Sequence, residues 1–176
     1  MKHITKIVSS ILFLGTMAYA ADVYLTDNST VPSLVMKDTS LSFKEIEGYQ
    51  NYKIVATHFR KDKNEIRYIL ANPIAYNAFK ASKKIMPEGS KIVKIGWSVK
   101  DMSKFPSALE ANKIERVEYM IKDARLHKES DGWGYARFVK KDGKYNAWGG
   151  DPKSCVACHA SVKADDAVFT HFQRLF

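Results

Sequence analysis

The sequence contains only two cysteines, shows no internal repeat and has no long apolar run after residue 20. Two cysteines cannot build the disulfide framework that stabilises many small secreted domains. A membrane-spanning helix needs about 20 consecutive apolar residues, and no stretch after residue 20 meets that requirement. Basic residues are not interleaved with aromatic ones in runs, so nothing indicates nucleic-acid binding. The sequence therefore predicts one domain that is held together by packing.

The first 20 residues have the pattern of a secretory signal peptide. Lys2 and Lys6 are followed by the apolar residues 7–17, and residues 18–20 (AYA) form a small-x-small cleavage site. The apolar part is too short to be kept as a membrane span. We therefore expect residues 1–20 to be removed on export and residues 21–176 to form the mature domain.

The chain carries a formal net charge of +9, from 28 Lys and Arg against 19 Asp and Glu. A positive surface can attract an acidic electron-transfer partner. The lysines are scattered, however, which is more typical of solvated loops and sheet faces.

The strongest motif is formed by residues 155–159, CVACH. Cys155 and Cys158 are three positions apart, about one helical turn, so both thiols can reach the two vinyl groups of one haem and form thioethers. His159 follows directly and is placed as the axial ligand of the iron. The motif predicts haem c, one per chain, held by two covalent bonds. Because such attachment occurs outside the bacterial cytoplasm, the export signal agrees with it, and we expect a periplasmic protein.

Two other interpretations of the cysteine pair fit less well. A thioredoxin-like disulfide motif needs a βαβ frame, and a zinc site needs four ligands. His171 is a remote candidate for the fourth ligand, but neither interpretation explains the adjacent His159. Other axial ligands would give a six-coordinate iron, and the candidates are Met86, Met102, Met120, His58, His127 and His171.

The segment that follows residue 30 predicts a first helix. Residues 42–45 (SFKE) have capping-box spacing, and Ile46, Tyr49, Lys53 and Ala56 then fall near one helical face. A second, short helix is predicted after Pro73, which suits the first helical turn.

Four strands are predicted farther along the chain, over residues 65–71, 91–99, 115–125 and 133–140. In the second of these, Val93, Ile95 and Trp97 share one face, and Lys94 and Gly96 share the other. An amphipathic segment over residues 166–176 ends the chain. The sum is one α+β domain with a mainly antiparallel β-sheet and a few helices.

Several ordered stretches resemble the cytochrome P-460 family, which includes the cytochromes c'-beta, from about Tyr52 to Phe176. They are residues 65–68 (EIRY) with Asn72 and Pro73, 87–97 (PEGSKIVKIGW), 117–123 (VEYMIKD), 132–138 (GWGYARF), 155–159 (CVACH) and 166–170 (DAVFT). The resemblance implies a mainly antiparallel fold, a homodimer and a five-coordinate haem with one open side. P-460-type members oxidise hydroxylamine to nitric or nitrous oxide and carry a lysine bond to the porphyrin. Members of the c'-beta type lack that bond and bind gases such as nitric oxide.

The resemblance also implies roles for individual residues. Lys94 corresponds to the cross-linking lysine, with Lys91 as the neighbour that can be confused with it. Arg67 corresponds to an arginine of the distal side, where a guanidinium can stabilise negative charge on a bound nitrogen oxide. Its alternative is a surface pair with Glu65 or with an acidic neighbour across the sheet.

P-460 enzymes also use a distal carboxylate as a proton acceptor. Asp151 is the nearest carboxylate before the haem motif, and its alternative role is to cap the helix that follows. Candidates for packing on the porphyrin are Phe59, Tyr68, Trp97, Met102, Trp133, Tyr135 and Phe138, although most such side chains are ordinary core residues.

Three functions follow from these observations. The first is hydroxylamine oxidation, with electrons passed to a soluble electron-transfer partner. The second is gas binding without turnover, and the third is electron transfer by a six-coordinate iron. Because the first two share a scaffold, the fold alone does not decide between them.

Overall fold

A computed structural model describes residues 30–174 of the protein. The predicted signal peptide, residues 1–20, lies outside the described residues. Six strands form one antiparallel sheet in chain order. They are β1 (Lys53–Arg60), β2 (Glu65–Ala71), β3 (Lys91–Met102), β4 (Phe105–Lys122), β5 (Trp133–Lys141) and β6 (Lys144–Ala147). Two α-helices, α1 (Pro73–Lys80) and α2 (Lys153–Ala160), accompany the sheet within the described residues. The predicted α+β class with a mainly antiparallel sheet is confirmed.

The connection between β2 and β3 is organised by Asn72. Its side-chain oxygen accepts the N–H groups of Ala75, at 3.0 Å, and of Lys91, at 3.1 Å. Its side-chain nitrogen donates to the carbonyl of Gly89 at 2.9 Å. One buried amide therefore caps α1 and fixes the start of β3, and Pro73 occupies the first helical turn as predicted.

The predicted first helix is wrong. Residues Phe43–Ile46 form a single 3-10 turn, capped by Ser42, and β1 begins at Lys53. Gly48 adopts a left-handed conformation with φ of 77°, which stops any helix at that point. The β-branched residues of segment 53–60 then favour a strand.

The other strand predictions differ from the structure mainly at their ends. The strand over residues 65–71 has the predicted bounds, and the hairpin that joins β3 to β4 is longer than predicted because β4 begins at Phe105. β6 was not predicted. The last segment, from residue 166 to 174, is irregular, and Gln173 extends the edge of β1 by donating its backbone N–H to the carbonyl of Val55 at 2.9 Å.

The two faces of the sheet carry different cores. One face is covered by residues 31–49, where Phe43 stacks on Phe138 with ring centroids 4.4 Å apart. Val93, Ile95 and Trp97 all pack on this side, which confirms their predicted common face. The opposite face packs partly against α1 and the segment at Val168, and its remaining part forms the wall of a cavity. No helix in residues 30–174 is long and apolar enough to cross a bilayer.

Candidate haem site

A cavity of about 380 Å³ lies between the sheet, α2 and residues 168–170. Three of its lining residues come from the CVACH motif, namely Cys155, Cys158 and His159. Both cysteines are free thiols, with Cys155 half-buried and Cys158 exposed. Burial raises the pKa of the Cys155 thiol. Helix α2 thus brings the three residues of the motif to one cavity, as its spacing predicted.

The imidazole of His159 is held from three sides. Its Nδ1 lies 2.7 Å from the carbonyl oxygen of Ala167, and since a carbonyl can only accept, Nδ1 carries the proton. The ring also contacts Tyr135, at a centroid distance of 4.7 Å, and the ring of Phe169, at 5.1 Å. Burial lowers the pKa of His159, which favours the neutral ring. The lone pair of Nε2 is therefore available to a metal.

A row of charged side chains crosses the sheet at the cavity wall. In the strand register Lys94 on β3 faces Glu118 on β4, and Glu118 faces Arg137 on β5. All three line the cavity, and Glu118 forms ion pairs with both neighbours. Arg116 lies 3.5 Å from the same carboxylate. Cross-strand pairing therefore places one buried carboxylate among three cations.

The pKa values of this row follow from its burial. Burial lowers the pKa of Lys94, and the attraction of Glu118 only partly offsets that effect. Burial also opposes ionisation of Glu118, but Lys94, Arg137 and Arg116 together hold its pKa below the usual value. Glu118 is therefore a carboxylate at neutral pH.

The next row of the sheet carries Arg67. Its Nε donates to Glu65 at 2.5 Å, and the other oxygen of Glu65 binds Arg116, also at 2.5 Å. Glu65 is only 3% exposed, so this pairing is internal and not a surface pair. Gly96 lies between Arg67 and Arg116 in the register and leaves room for the Glu65 carboxylate. Arg67 lines the cavity while Glu65 holds it from behind.

Several other residues predicted from the sequence lie away from the cavity. Asp151 does not line it, and its Oδ1 accepts the N–H of Lys153 at 2.8 Å, which makes it the turn residue ahead of Pro152. The amine of Lys91 donates to the carbonyl of Glu45. His127 packs against Gly134. Of the alternative axial ligands, only Met120 and His58 are among the residues that line this cavity.

Sequence reasoning missed Glu118 and Arg137. Alternation along a strand places Glu118 on the same face as Met120, but only the register of β3 against β4 brings it opposite Lys94. The hairpin between β3 and β4 and the register shifts between Gly96 and Met102 set this pairing, and no local sequence signal identifies it.

Residues 46–170 match the sequence model of one protein family, Cytochrome P460. The chain belongs to the cytochrome P460 family. The match spans all six strands, both α-helices and every cavity residue named above. No curated protein shows a significant match to the chain.

Membership of the cytochrome P460 family implies a haem, and the cavity residues fit one. Its walls include Ile69, Ile92 and Phe169, which suit the faces of a porphyrin. Two thiols and a neutral imidazole lie along its α2 side. Within residues 30–174 no group of three or more His, Cys, Asp and Glu could hold a bare metal ion, so the zinc interpretation lacks ligands there. α2 follows an antiparallel strand, which does not provide the βαβ frame of a thioredoxin motif.

Proposed function

We propose that the protein is a mono-haem c-type cytochrome that oxidises hydroxylamine. The observation that carries this proposal is the buried carboxylate of Glu118 at the wall of the cavity that His159 also lines. A pocket that only captures a gas is expected to have apolar walls, and it has no use for a proton acceptor. In the charged row of Lys94, Glu118 and Arg137, the carboxylate can accept protons from the substrate and the cations can stabilise negative charge on it.

The CVACH motif supplies the attachment in this proposal. Cys155 and Cys158 form the two thioethers, and His159 donates its Nε2 lone pair to the iron. The hydrogen bond from Nδ1 to the Ala167 carbonyl fixes the ring orientation and raises its basicity. The haem that these three residues would hold would supply the redox chemistry of the reaction.

Oxidation of hydroxylamine releases as many protons as electrons, so the cavity must accept protons. Glu118 takes the role that the sequence assigned to Asp151, because Asp151 lies in the turn before α2 and outside the cavity. A carboxylate that is ionised at neutral pH can take a proton and pass it on. Arg67, held by Glu65, offers N–H donors to the oxygen of the substrate.

Lys94 is the candidate for the lysine–porphyrin bond of P-460-type members. Burial favours its neutral amine, which is the nucleophilic form. Replacing an N–H and a ring C–H hydrogen by an N–C bond is an oxidation, and a two-electron oxidant of the peroxide class would take up the electrons.

The ion pair of Lys94 with Glu118 favours the ammonium form of the lysine, which is not nucleophilic. This observation supports the second candidate function, a c'-beta-like gas-binding protein without the lysine–porphyrin bond.

Electrons would leave to a soluble electron-transfer partner in the periplasm. The signal-peptide pattern of residues 1–20 and the net positive charge of residues 21–176, with 26 Lys and Arg against 19 Asp and Glu, support export and an acidic partner.

Purified holoprotein tests the proposal. We expect hydroxylamine-dependent reduction of an electron acceptor, and we expect Glu118→Gln to reduce kcat by about 100-fold, the usual scale for loss of a general base. The matched control is Glu110→Gln on the same strand, whose carboxylate pairs with Lys100 outside the cavity. It should retain wild-type turnover. Tight nitric oxide binding without any turnover in wild type would overturn hydroxylamine oxidation and leave gas binding.

A further inference from the structure

A buried ion pair lies behind the haem cavity, between Lys122 and Asp166. The Lys122 Nζ lies 2.6 Å from Asp166 Oδ1, and the two side chains are only 8% and 7% exposed. Neither residue lines the cavity. A charge pair this far from solvent is costly to desolvate, so it needs further partners on both sides.

Lys122 has those partners at the end of β4. Its Nζ also donates to the carbonyl of Asp131, at 2.9 Å, and lies 5.0 Å from the centre of the Trp133 ring. The ammonium group is therefore compensated by a carboxylate, a carbonyl and an aromatic face.

Asp166 contacts three other parts of the chain. Its Oδ1 binds Lys122, and its Oδ2 accepts the N–H of Met86 at 2.8 Å. Its backbone carbonyl accepts the indole N–H of Trp133 at 2.8 Å. These contacts fix both the side chain and the peptide group of Asp166.

The chain turns sharply at this point. Asp166 has φ of 53° and Ala167 has φ of 61°, so two successive residues other than glycine are left-handed. Such a conformation costs free energy and persists only when its surroundings enforce it. The turn directs the Ala167 carbonyl to His159 Nδ1, and the N–H of Ala167 donates to Val162 at 3.1 Å.

We propose that Lys122 and Asp166 are positioning residues for His159, because their ion pair holds the turn whose carbonyl accepts the imidazole proton. A carbonyl acceptor makes the imidazole a stronger donor to iron and stabilises the oxidised metal. The pair therefore lowers the reduction potential without touching the haem. This inference rests on the proposed role of His159 as axial ligand, and it holds for either substrate.

The test is Lys122→Met in the holoprotein, with Lys163→Met as the matched control. Lys163 binds the side chain of Asp131 at 2.8 Å and is 69% exposed, so its replacement removes the same charge nearby without touching Asp166. Reduction potential and the iron–imidazole stretching band of the ferrous protein are measured for both. We expect Lys122→Met to raise the potential and lower the band frequency, and Lys163→Met to change neither.

The direction of the change separates positioning from charge. Loss of a positive charge near the iron would lower the potential, whereas a weaker imidazole donor raises it. A lowered or unchanged potential with an unchanged band in Lys122→Met would overturn the inference. If that variant does not fold, Asp166→Asn takes its place, because it keeps an acceptor for Met86 and loses only the ion pair. Asp166→Asn also removes a negative charge, which by itself raises the potential, so the band frequency decides for this variant. A lowered frequency is expected, and an unchanged frequency overturns the inference.

The wild-type spectrum distinguishes failure of the proposed axial role of His159 from failure of this inference. A wild-type protein without an iron–imidazole band overturns the role of His159 and the inference with it. A wild-type band that neither variant shifts overturns the inference alone.

Discussion

Lys94 and Glu118 face each other across β3 and β4 and form an ion pair at the wall of the cavity that holds the CVACH motif. The proposed turnover depends on both groups, because Lys94 is the candidate for the lysine–porphyrin bond and Glu118 is the candidate proton acceptor. Here the two are held together, so a change in either alters the charge state of the other. The pair is therefore where the function of this chain is best tested.

The first prediction concerns the lysine. In Lys94→Met, the haem peptide released by digestion should contain only the Cys155 and Cys158 segment, and the reduced Soret band should move to that of an ordinary c-type haem. The reason is that Lys94, and not Lys91, lines the cavity.

The matched control is Lys91→Met. The amine of Lys91 donates to the Glu45 carbonyl, so this variant should keep the wild-type spectrum and haem peptide. A wild-type haem peptide that already lacks the Lys94 segment would contradict the cross-link and favour the gas-binding function.

The second prediction concerns pH. Because the folded pKa of Glu118 lies below its usual value of 4.5, the carboxylate stabilises the fold above that pH and loses its contribution as pH falls through the folded pKa. Glu118→Gln leaves three partly exposed cations without their carboxylate, so we expect it to cost about 1.5–3 kcal/mol at pH 7, the scale of hydrogen bonds to charged groups. Urea unfolding at several pH values should show this difference shrink below about pH 4.5, the usual value for a free Glu. An equal difference at every pH would contradict it.

These two residues also mark how far sequence reasoning reaches. Local signals gave β2 its bounds, because Asn72 and Pro73 end the strand in the chain itself. The face of Lys94 followed from alternation alone. Glu118 was missed because its position depends on the register of β3 against β4, and that register shifts three times between Gly96 and Met102. Irregular pairing of this kind is set by the whole sheet and leaves no local pattern.

The mispredicted helix has a related cause. Residues 42–56 carry helical spacing, and Ser42 does cap a turn, but Gly48 interrupts it and β1 pairs with β2 from Lys53 onward. Pairing with a neighbouring strand outweighs the local preference.

The third prediction concerns Gly96. A Cβ at this position would lie 3.0 Å from Glu65 Oε2 and 3.3 Å from Arg116 Cγ. Glu65 cannot move aside without loss of an ion pair to Arg67 or Arg116. Gly96→Ala should therefore destabilise the fold by about 1–3 kcal/mol, despite the better strand propensity of alanine.

Gly96→Ala should also raise KM for hydroxylamine, because a shifted Glu65 displaces Arg67. Denaturant unfolding and steady-state kinetics measure the two effects, and an unchanged KM would argue against a substrate contact from Arg67.

The fourth prediction compares two adjacent glycines next to Trp148. The guanidinium of Arg137, which also binds Glu118, lies 4.2 Å from the centre of the Trp148 ring. A Cβ on Gly150 would lie 2.1 Å from that ring, whereas a Cβ on Gly149 would meet nothing within 4 Å. Gly150→Ala must therefore move the indole away from Arg137, and we expect a loss of about 1–3 kcal/mol in the free energy of unfolding.

Gly149→Ala removes the same backbone freedom one residue earlier and should leave stability within about 0.5 kcal/mol of wild type. Tryptophan fluorescence during urea unfolding measures both variants. Arg137 is one of three cations that hold the pKa of Glu118 below its usual value. Displacing Arg137 raises that pKa, so the pH below which kcat falls should be higher in Gly150→Ala and unchanged in Gly149→Ala. Equal behaviour of the two variants would mean that Trp148 is not needed to hold Arg137 against Glu118.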